Sequence, residues 1–372
     1  MLFSLFVVSN AGCGSGTPCI YLGKQEGWIE YAPTAKAKAL YPPVSDSWNR
    51  SDSSLFVTMA SFRDKLCPVT LFNIFTKASY PERVTVGVVQ QNMDTDIDCF
   101  DEYCRKMRER EAQDHPEIAA SSDWKCPFEN QIRMKRVSAT IAKGPTWGRS
   151  QGSELLRDEE FCMQTDSHMD YTPGWDVSMM KMWAQTNNEY AVLSTYVADI
   201  AELHRQIDHP HAPALGTNKL HEVPLLCMVT FTSSHKMVRN WGTKCMRMMP
   251  EPKLTNIVWG AGLSFAKCHA ERKVPYDPHT PHIFDGEEYN RGLRFWTHGY
   301  DIYTPNRVYV VHNYQGSQVR WSAMFLPCRV CSCCFLTIHV CLFIHRGTPS
   351  TVAGSVICRI TQRELLPNLL CG

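Results

Sequence analysis

The sequence predicts an α/β protein built on a parallel sheet, and three observations carry that prediction. Leu55-Phe56-Val57-Thr58-Met59-Ala60 is an apolar run of strand length. A helical stretch, Cys67 to Lys77, follows it, and Val84-Thr85-Val86-Gly87-Val88-Val89-Gln90 gives a second buried strand. Strand, helix and strand within about 35 residues form the unit of a parallel α/β sheet.

The pattern then recurs. Ile132 to Ile141 reads as a strand, Arg149 to Arg157 as a helix and Phe161-Cys162-Met163-Gln164-Thr165 as a short buried strand. Trp175 to Gln185 is helical, Tyr190 to Thr195 a strand, Asn290 to Thr297 a helix, and Val308 to His312 an apolar strand ending in histidine. No internal repeat of fixed period is present. Residues 9–53 are rich in Gly, Ser, Pro and Thr and lack periodicity, so residues 1–53 read as a loosely structured leader. Residues 204–224 hold His204, His209, His211 and His221 among prolines; their spacing fits no standard metal site, and the stretch reads as an exposed loop over the active face.

Length and composition fit one large domain: of 372 residues, 44% are hydrophobic and 20% charged. Basic and acidic side chains number 38 and 37, which leaves no field for nucleic acid or an anionic membrane. Cys67, Cys99, Cys104, Cys126, Cys162, Cys227, Cys245 and Cys268 are too scattered for a compact secreted framework, so free thiols in a reducing, cytoplasmic setting are expected. The apolar start, Met1 to Val8, has no basic flank and is shorter than the ~20 residues of a membrane span. No targeting segment is expected, with a signal peptide ending near Ala11-Gly12-Cys13 as the secretory alternative. After Phe325 come Cys328, Cys331, Cys333, Cys334 and Cys341 with His339 and His345. Their spacing is poor for zinc, and residues 326–372 are expected to be an atypical tail, a mistranslated or read-through gene end. A zinc-binding interaction protein is the competing reading there.

Chemistry concentrates at Thr165-Asp166-Ser167-His168-Met169-Asp170, directly after an apolar strand. Residues i and i+2 of an extended segment face one side, so Asp166 and His168 can offer a carboxylate oxygen and an imidazole nitrogen to one divalent ion. Ligands of open α/β sheets bind at that carboxyl edge. An ion held by few protein ligands keeps positions for diphosphate oxygens. The mixed donors favour Mn2+ over Mg2+. His312 ends another apolar strand, where a distal third ligand is wanted. Glu287 and Glu288 open a helix, where the exposed amides favour acidic side chains; they serve either that end or a bound sugar or acceptor.

Further pieces carry a resemblance: Phe56-Val57-Thr58-Met59-Ala60-Ser61-Phe62-Arg63-Asp64, Pro81-Glu82-Arg83-Val84, Gly87-Val88-Val89-Gln90 and Ala142-Lys143-Gly144-Pro145 with Arg149. Trp175-Asp176, Val274-Pro275-Tyr276-Asp277-Pro278, Gly286-Glu287-Glu288, Trp296-Thr297-His298-Gly299-Tyr300-Asp301 and His312-Asn313-Tyr314 continue it in order. With the Asp-Ser-His segment they resemble the GT-A-fold polypeptide N-acetylglucosaminyltransferases typified by the enzyme that glycosylates hydroxyproline on Skp1, a ubiquitin-ligase subunit. The Asp-Ser-His, Gly-Glu-Glu and terminal His also look like elements of polypeptide N-acetylgalactosaminyltransferases.

The resemblance implies a mixed, mostly parallel GT-A-like sheet flanked by helices over residues 54–325, and metal-dependent transfer of GlcNAc from UDP-GlcNAc to a protein hydroxyl with retention. It implies Asp166, His168 and His312 as metal ligands. Thr58, Ser61, Arg63 and Asp64 would hold uracil and ribose with Gln90 nearby, and Arg149 would approach the diphosphate. Trp175, Asp176, Glu287 and Glu288 would shape the sugar and acceptor side. Each residue has a plain structural alternative: Arg63 pairing on the surface, Arg149 solvated, Trp175 in the core, Asp176 capping its helix. Lys143 stands where the family has its familiar basic residue before Gly-Pro, which weakens any bidentate anion contact. A non-catalytic sugar-nucleotide or glycan binder is one alternative function, and a transferase with a different polypeptide or glycan acceptor is the other.

Overall fold

The computed structural model describes residues 18–21, 28–30, 42–201, 203, 222–226, 228–232, 236–241, 244–247, 249–255 and 258–314. Most of the leader, most of the histidine-rich segment after His204 and the cysteine-rich tail lie outside these residues.

Chain order begins with two short strands, β1 (Cys19–Tyr21) and β2 (Trp28–Glu30), then β3 (Leu55–Phe62), helix α1 (Cys67–Lys77) and β4 (Val84–Asn92). Helices α2 (Cys99–Asp114) and α3 (Pro116–Ala119), strand β5 (Ile132–Ser138) and helix α4 (Pro145–Gly152) follow. Next come β6 (Phe161–Asp166), β7 (Met169–Tyr171), α5 (Trp175–Ala184), β8 (Ala191–Ser194) and β9 (Ala198–Asp199). Strands β10 (Glu222–Leu225), β11 (Met228–Phe231), β12 (Val238–Trp241), β13 (Lys244–Arg247), β14 (Lys253–Leu254) and β15 (Leu263–Lys267) lead to helices α6 (Cys268–Lys273) and α7 (Glu287–Thr297). Strands β16 (Asp301–Thr304) and β17 (Val310–His312) end the described chain.

The main sheet has eight strands in the order β14-β16-β8-β15-β6-β3-β4-β5. β6, β3, β4 and β5 run parallel, as do β16 and β8; β15 is antiparallel to both its neighbours and β14 to β16. This is the mixed, mostly parallel sheet flanked by helices that was expected. Its strands read as continuous apolar runs because both faces are covered. Val57, Met59, Phe161, Met163, Leu193 and Phe265 pack on one side with Ile74 and Phe75 of α1 and Trp175 and Trp183 of α5. Their alternates Val192 and Ala266 pack on the other side with Trp259, Phe295 and Tyr300. Adjacent residues on one strand thus feed two cores, as the period of two requires.

Several elements differ from expectation for identifiable reasons. α2 fully buries only Cys99, Tyr103 and Met107 and is charged over most of its remaining length, so its periodicity is faint. Its start is fixed instead by Asp98, whose carboxylate accepts from the amides of Phe100 and Asp101. α4 begins at Pro145 rather than Arg149, with Pro at the first helical position where its missing N–H costs nothing. Arg149 therefore sits in the last turn.

The cysteines correct the expectation of free thiols. Cys67–Cys99, Cys104–Cys126 and Cys162–Cys268 are disulfides, with Cα atoms 5.5, 5.3 and 4.8 Å apart. They join α1 to α2, α2 to the segment before β5, and β6 to α6. No helix among the described residues is long and apolar enough to cross a membrane.

Candidate functional site

The carboxyl ends of the central strands open into a cavity of about 600 Å³. Its floor carries Asp166, the last residue of β6, and His168, two residues on. β17 brings in His312 by pairing antiparallel with β7, in the register His312↔Met169, while the Asn313 amide donates to the His168 carbonyl at 2.9 Å. Backbone pairing between segments far apart in sequence thus puts both imidazoles beside one carboxylate. One ligand atom from each of Asp166, His168 and His312 lies within 4.8 Å of the others.

Polar contacts behind these residues set their orientation. Asp64, in the turn after β3, accepts from Ser167 Oγ at 2.6 Å and meets His168 Nδ1 at 2.6 Å. With the proton on Nδ1, His168 turns its Nε2 lone pair into the cavity, where it faces His312 Nε2 at 2.8 Å. Thr70 of α1 donates to the Ser167 carbonyl at 2.8 Å and accepts from the Met169 amide at 2.9 Å, pinning the turn between them. Arg149 reaches the same carboxylate, donating to Asp166 Oδ1 at 2.8 Å and to Glu287 Oε1 at 2.5 Å.

Charge distribution follows from these contacts. Burial opposes ionisation of Asp166, but the His312 bond and the charge of Arg149 outweigh it and hold the carboxyl well below its ordinary range. Burial lowers His312, while at His168 the Asp64 bond and the Asp166 charge overcome burial and raise the ring. Two imidazole nitrogens facing each other at 2.8 Å share one proton or turn both lone pairs on a cation. One ionised carboxylate, two imidazoles and an oriented Nδ1–H make a donor set that could hold a divalent metal ion. Room for a ligand is kept by Gly262, where a Cβ would stand 3.3 Å from Asp166 Oδ2.

Glu288 also lines the cavity. Its Oε1 accepts from the Ala261 amide at 2.9 Å and its Oε2 from the Tyr196 hydroxyl. Burial, opposed by those two bonds, pushes its carboxyl up to about 7. Gly286, at φ 90°, lets the chain turn into α7 so that both glutamates point back to the cavity.

Of the expected site residues, the structure brings together Asp64, Arg149, Asp166, His168, Glu287, Glu288 and His312. It does not bring in the others. Asp176 is fully buried, accepts from the amides of Ser79 and Tyr80 and from Arg83, and does not line the cavity. Trp175 is equally buried, donating from Nε1 to the Ile74 carbonyl. Arg63 turns outward to a bidentate pair with Asp96, not with Asp64 or Glu82. Gln90 accepts from the Cys99 amide and donates to Asp98, while its neighbour Gln91 faces the cavity. Ser61 is buried, and Thr58 faces Gly152 of α4; neither lines the cavity. Asp64 lines it, yet its carboxylate serves His168 and Ser167. Phe62, Tyr196, Gly262 and Tyr314 line the cavity and were not foreseen. The i+2 step from Ala60 to Phe62 was the signal available for one of them.

Among solved structures, the mannosyltransferase PcManGT from Pyrobaculum calidifontis, in complex with GDP-Man and Mn2+, matches at 13% identity and a TM-score of 0.40. That match covers 74% of this chain and 60% of the other. GalNAc-T7 with UDP, GalNAc and Mn2+ matches at 12% identity and a TM-score of 0.46, over 75% of this chain and 46% of the other. This chain thus spans about half to three fifths of those two chains. No curated protein matches. The family described as Glycosyltransferase (GlcNAc) matches residues 54–325, which take in all the cavity's converging side chains. The chain therefore belongs to the GlcNAc glycosyltransferase family.

Proposed function

We propose that the protein transfers N-acetylglucosamine from UDP-GlcNAc to a protein hydroxyl with retention of configuration. Mn2+ is the favoured ion and Mg2+ the alternative. The observation that carries the reading is the meeting of Asp166, His168 and His312, with Arg149 on the same carboxylate, in a cavity of a glycosyltransferase-family chain. The acceptor implied by the resemblance, hydroxyproline of a Skp1-like protein, is the first to test.

Asp166, His168 and His312 would hold the ion. When bound, it would neutralise charge on the departing diphosphate. Arg149, anchored by Glu287 and Asp166, adds a fixed positive group at the same place, where a buried and preorganised charge acts more strongly than in water. Transfer breaks the bond between the sugar's anomeric carbon and the diphosphate oxygen and forms one to the acceptor oxygen on the same face. The acceptor's proton passes to the departing diphosphate, so no side chain need serve as general base. Glu287 and Glu288 would line the sugar and acceptor side and position those groups.

The experiment is UDP release from UDP-GlcNAc by the purified chain with Mn2+, with EDTA, and in the Asp166→Ala variant. Metal-dependent release that disappears in the variant supports the donor and the site together. A chain that does not bind UDP in the presence of Mn2+ overturns the proposal.

A further inference from the structure

The loops that follow β3 and β4 are tied to one another twice, and the tie leads to the metal-site candidates. Cys67, the first residue of α1, is bonded to Cys99, the first of α2, and both are buried. Arg63 and Asp96 join the same two loops by a bidentate pair at 2.8 and 3.1 Å. Gln90 and Asp98 then fix the start of α2, Gln90 accepting from the Cys99 amide at 2.7 Å. The first turn of α1 is thus anchored to the sheet through its neighbour.

That turn is also the support of the Ser167–His168 segment. Asp64 accepts from the Leu66 amide at 2.8 Å through one oxygen, and its other oxygen takes both Ser167 Oγ and His168 Nδ1. Thr70, one turn further on, grips the backbone on either side of His168. Released from α2, this turn would carry Asp64 and Thr70 with it.

We propose that the Cys67–Cys99 disulfide is a positioning element of the metal centre: it holds the segment Asp64–Thr70, which leads into the first turn of α1, against His168 and so fixes the ligand's orientation. The inference rests on the metal site of the proposed function. Cys104–Cys126 supplies an internal control, since it also starts from α2 but ties it to the segment before β5 and not to α1.

The test is Mn2+ binding to the full oxidised chain, followed by the electron paramagnetic resonance of free Mn2+ well below the unfolding temperature. The set is wild type, Cys67→Ala/Cys99→Ala, Cys104→Ala/Cys126→Ala, Asp64→Asn and the Cys67→Ala/Cys99→Ala/Asp64→Asn combination. Loss of the first bridge is expected to weaken Mn2+ binding about tenfold or more, as loss of a ligand's hydrogen-bonded support does, while the control bridge leaves affinity nearly unchanged. Asp64→Asn is expected to reproduce the loss, and the combination to add little to it, because both act through one contact. Wild-type affinity without the Cys67–Cys99 bridge, equal losses from both bridges, or full additivity with Asp64→Asn would each overturn the inference and leave the proposed function standing. A wild-type chain that binds no Mn2+ overturns both. Should Cys67→Ala/Cys99→Ala fail to fold, the Cys104→Ala/Cys126→Ala chain is titrated with reductant while still folded, and Mn2+ affinity that is unchanged once Cys67–Cys99 is reduced is then the overturning result.

Discussion

Asp176→Asn separates the structural reading of that residue from a catalytic one. The wild-type carboxylate accepts from the Ser79 amide at 2.7 Å, the Tyr80 amide at 3.1 Å and Arg83 at 2.9 Å. Its side chain is 0% exposed and that of Arg83 4%, so water cannot replace what the substitution removes. Asparagine keeps one acceptor oxygen, but its amide would face donors, and Arg83 is left as an uncompensated buried cation. Breaking a buried pair from one side costs about 3–5 kcal/mol. In a domain of this size, where 1 kcal/mol moves Tm by about 2 °C, that corresponds to roughly 5–10 °C. Circular dichroism melts and urea titration would measure the loss. UDP and Mn2+ affinities of the folded variant at low temperature are expected to match wild type, because Asp176 does not line the cavity. A variant that melts like wild type but loses UDP release would refute the assignment and return Asp176 to the catalytic set.

Other perturbations have equally definite outcomes. Arg149→Lys keeps one charge but cannot bridge Asp166 and Glu287 in a planar fork, so kcat is expected to fall roughly 10²–10³-fold with a smaller change in KM, read by UDP release. Glu288, facing Tyr196, Glu287 and Arg239, has its carboxyl raised by burial from an ordinary 4.5 to about 7. Its raised value means stability that is fully present below about pH 4.5 and lost as pH rises through 7. Wild type is therefore expected to lose about 3 kcal/mol relative to Glu288→Gln across that window, measured by urea unfolding at several pH values. Trp175→Phe removes the buried bond to the Ile74 carbonyl and is expected to cost about 1–3 kcal/mol with donor affinity unchanged by calorimetry.

What the sequence discloses depends on whether the determining contact is local. β3, β4 and β6 were legible because burial on both faces writes them as apolar runs. α2 was not, since three buried residues in sixteen leave little period to read. Asp166 and His168 were legible as a pair because they stand two residues apart at a strand end. His312 drew notice as the end of an apolar strand, though its approach depends on pairing with β7, itself only three residues long. Asp64 was found for another reason, since the residue it serves lies 104 positions away. Gln90 and Gln91 show the limit most plainly. They are adjacent and chemically identical, yet one faces a helix start and the other the cavity, and only the strand's phase tells them apart.

The same reasoning bears on where such a chain can work. The cytoplasmic expectation rested on scattered cysteines being free, and six of the eight that carried it are paired across elements the sequence could not place side by side. Disulfides persist in oxidising compartments and are rare where glutathione and thioredoxin keep thiols reduced. If the Cys67–Cys99 bridge also holds Asp64 on His168, oxidation is a condition for an ordered metal centre and not only for stability. An acceptor polypeptide would then have to meet the enzyme where disulfides survive. Assaying hydroxyproline peptides under oxidising and reducing conditions, at a temperature where both forms remain folded, puts acceptor and compartment to one test. Transfer to the peptide that is unaffected by complete reduction would show that the bridge and the chemistry are independent.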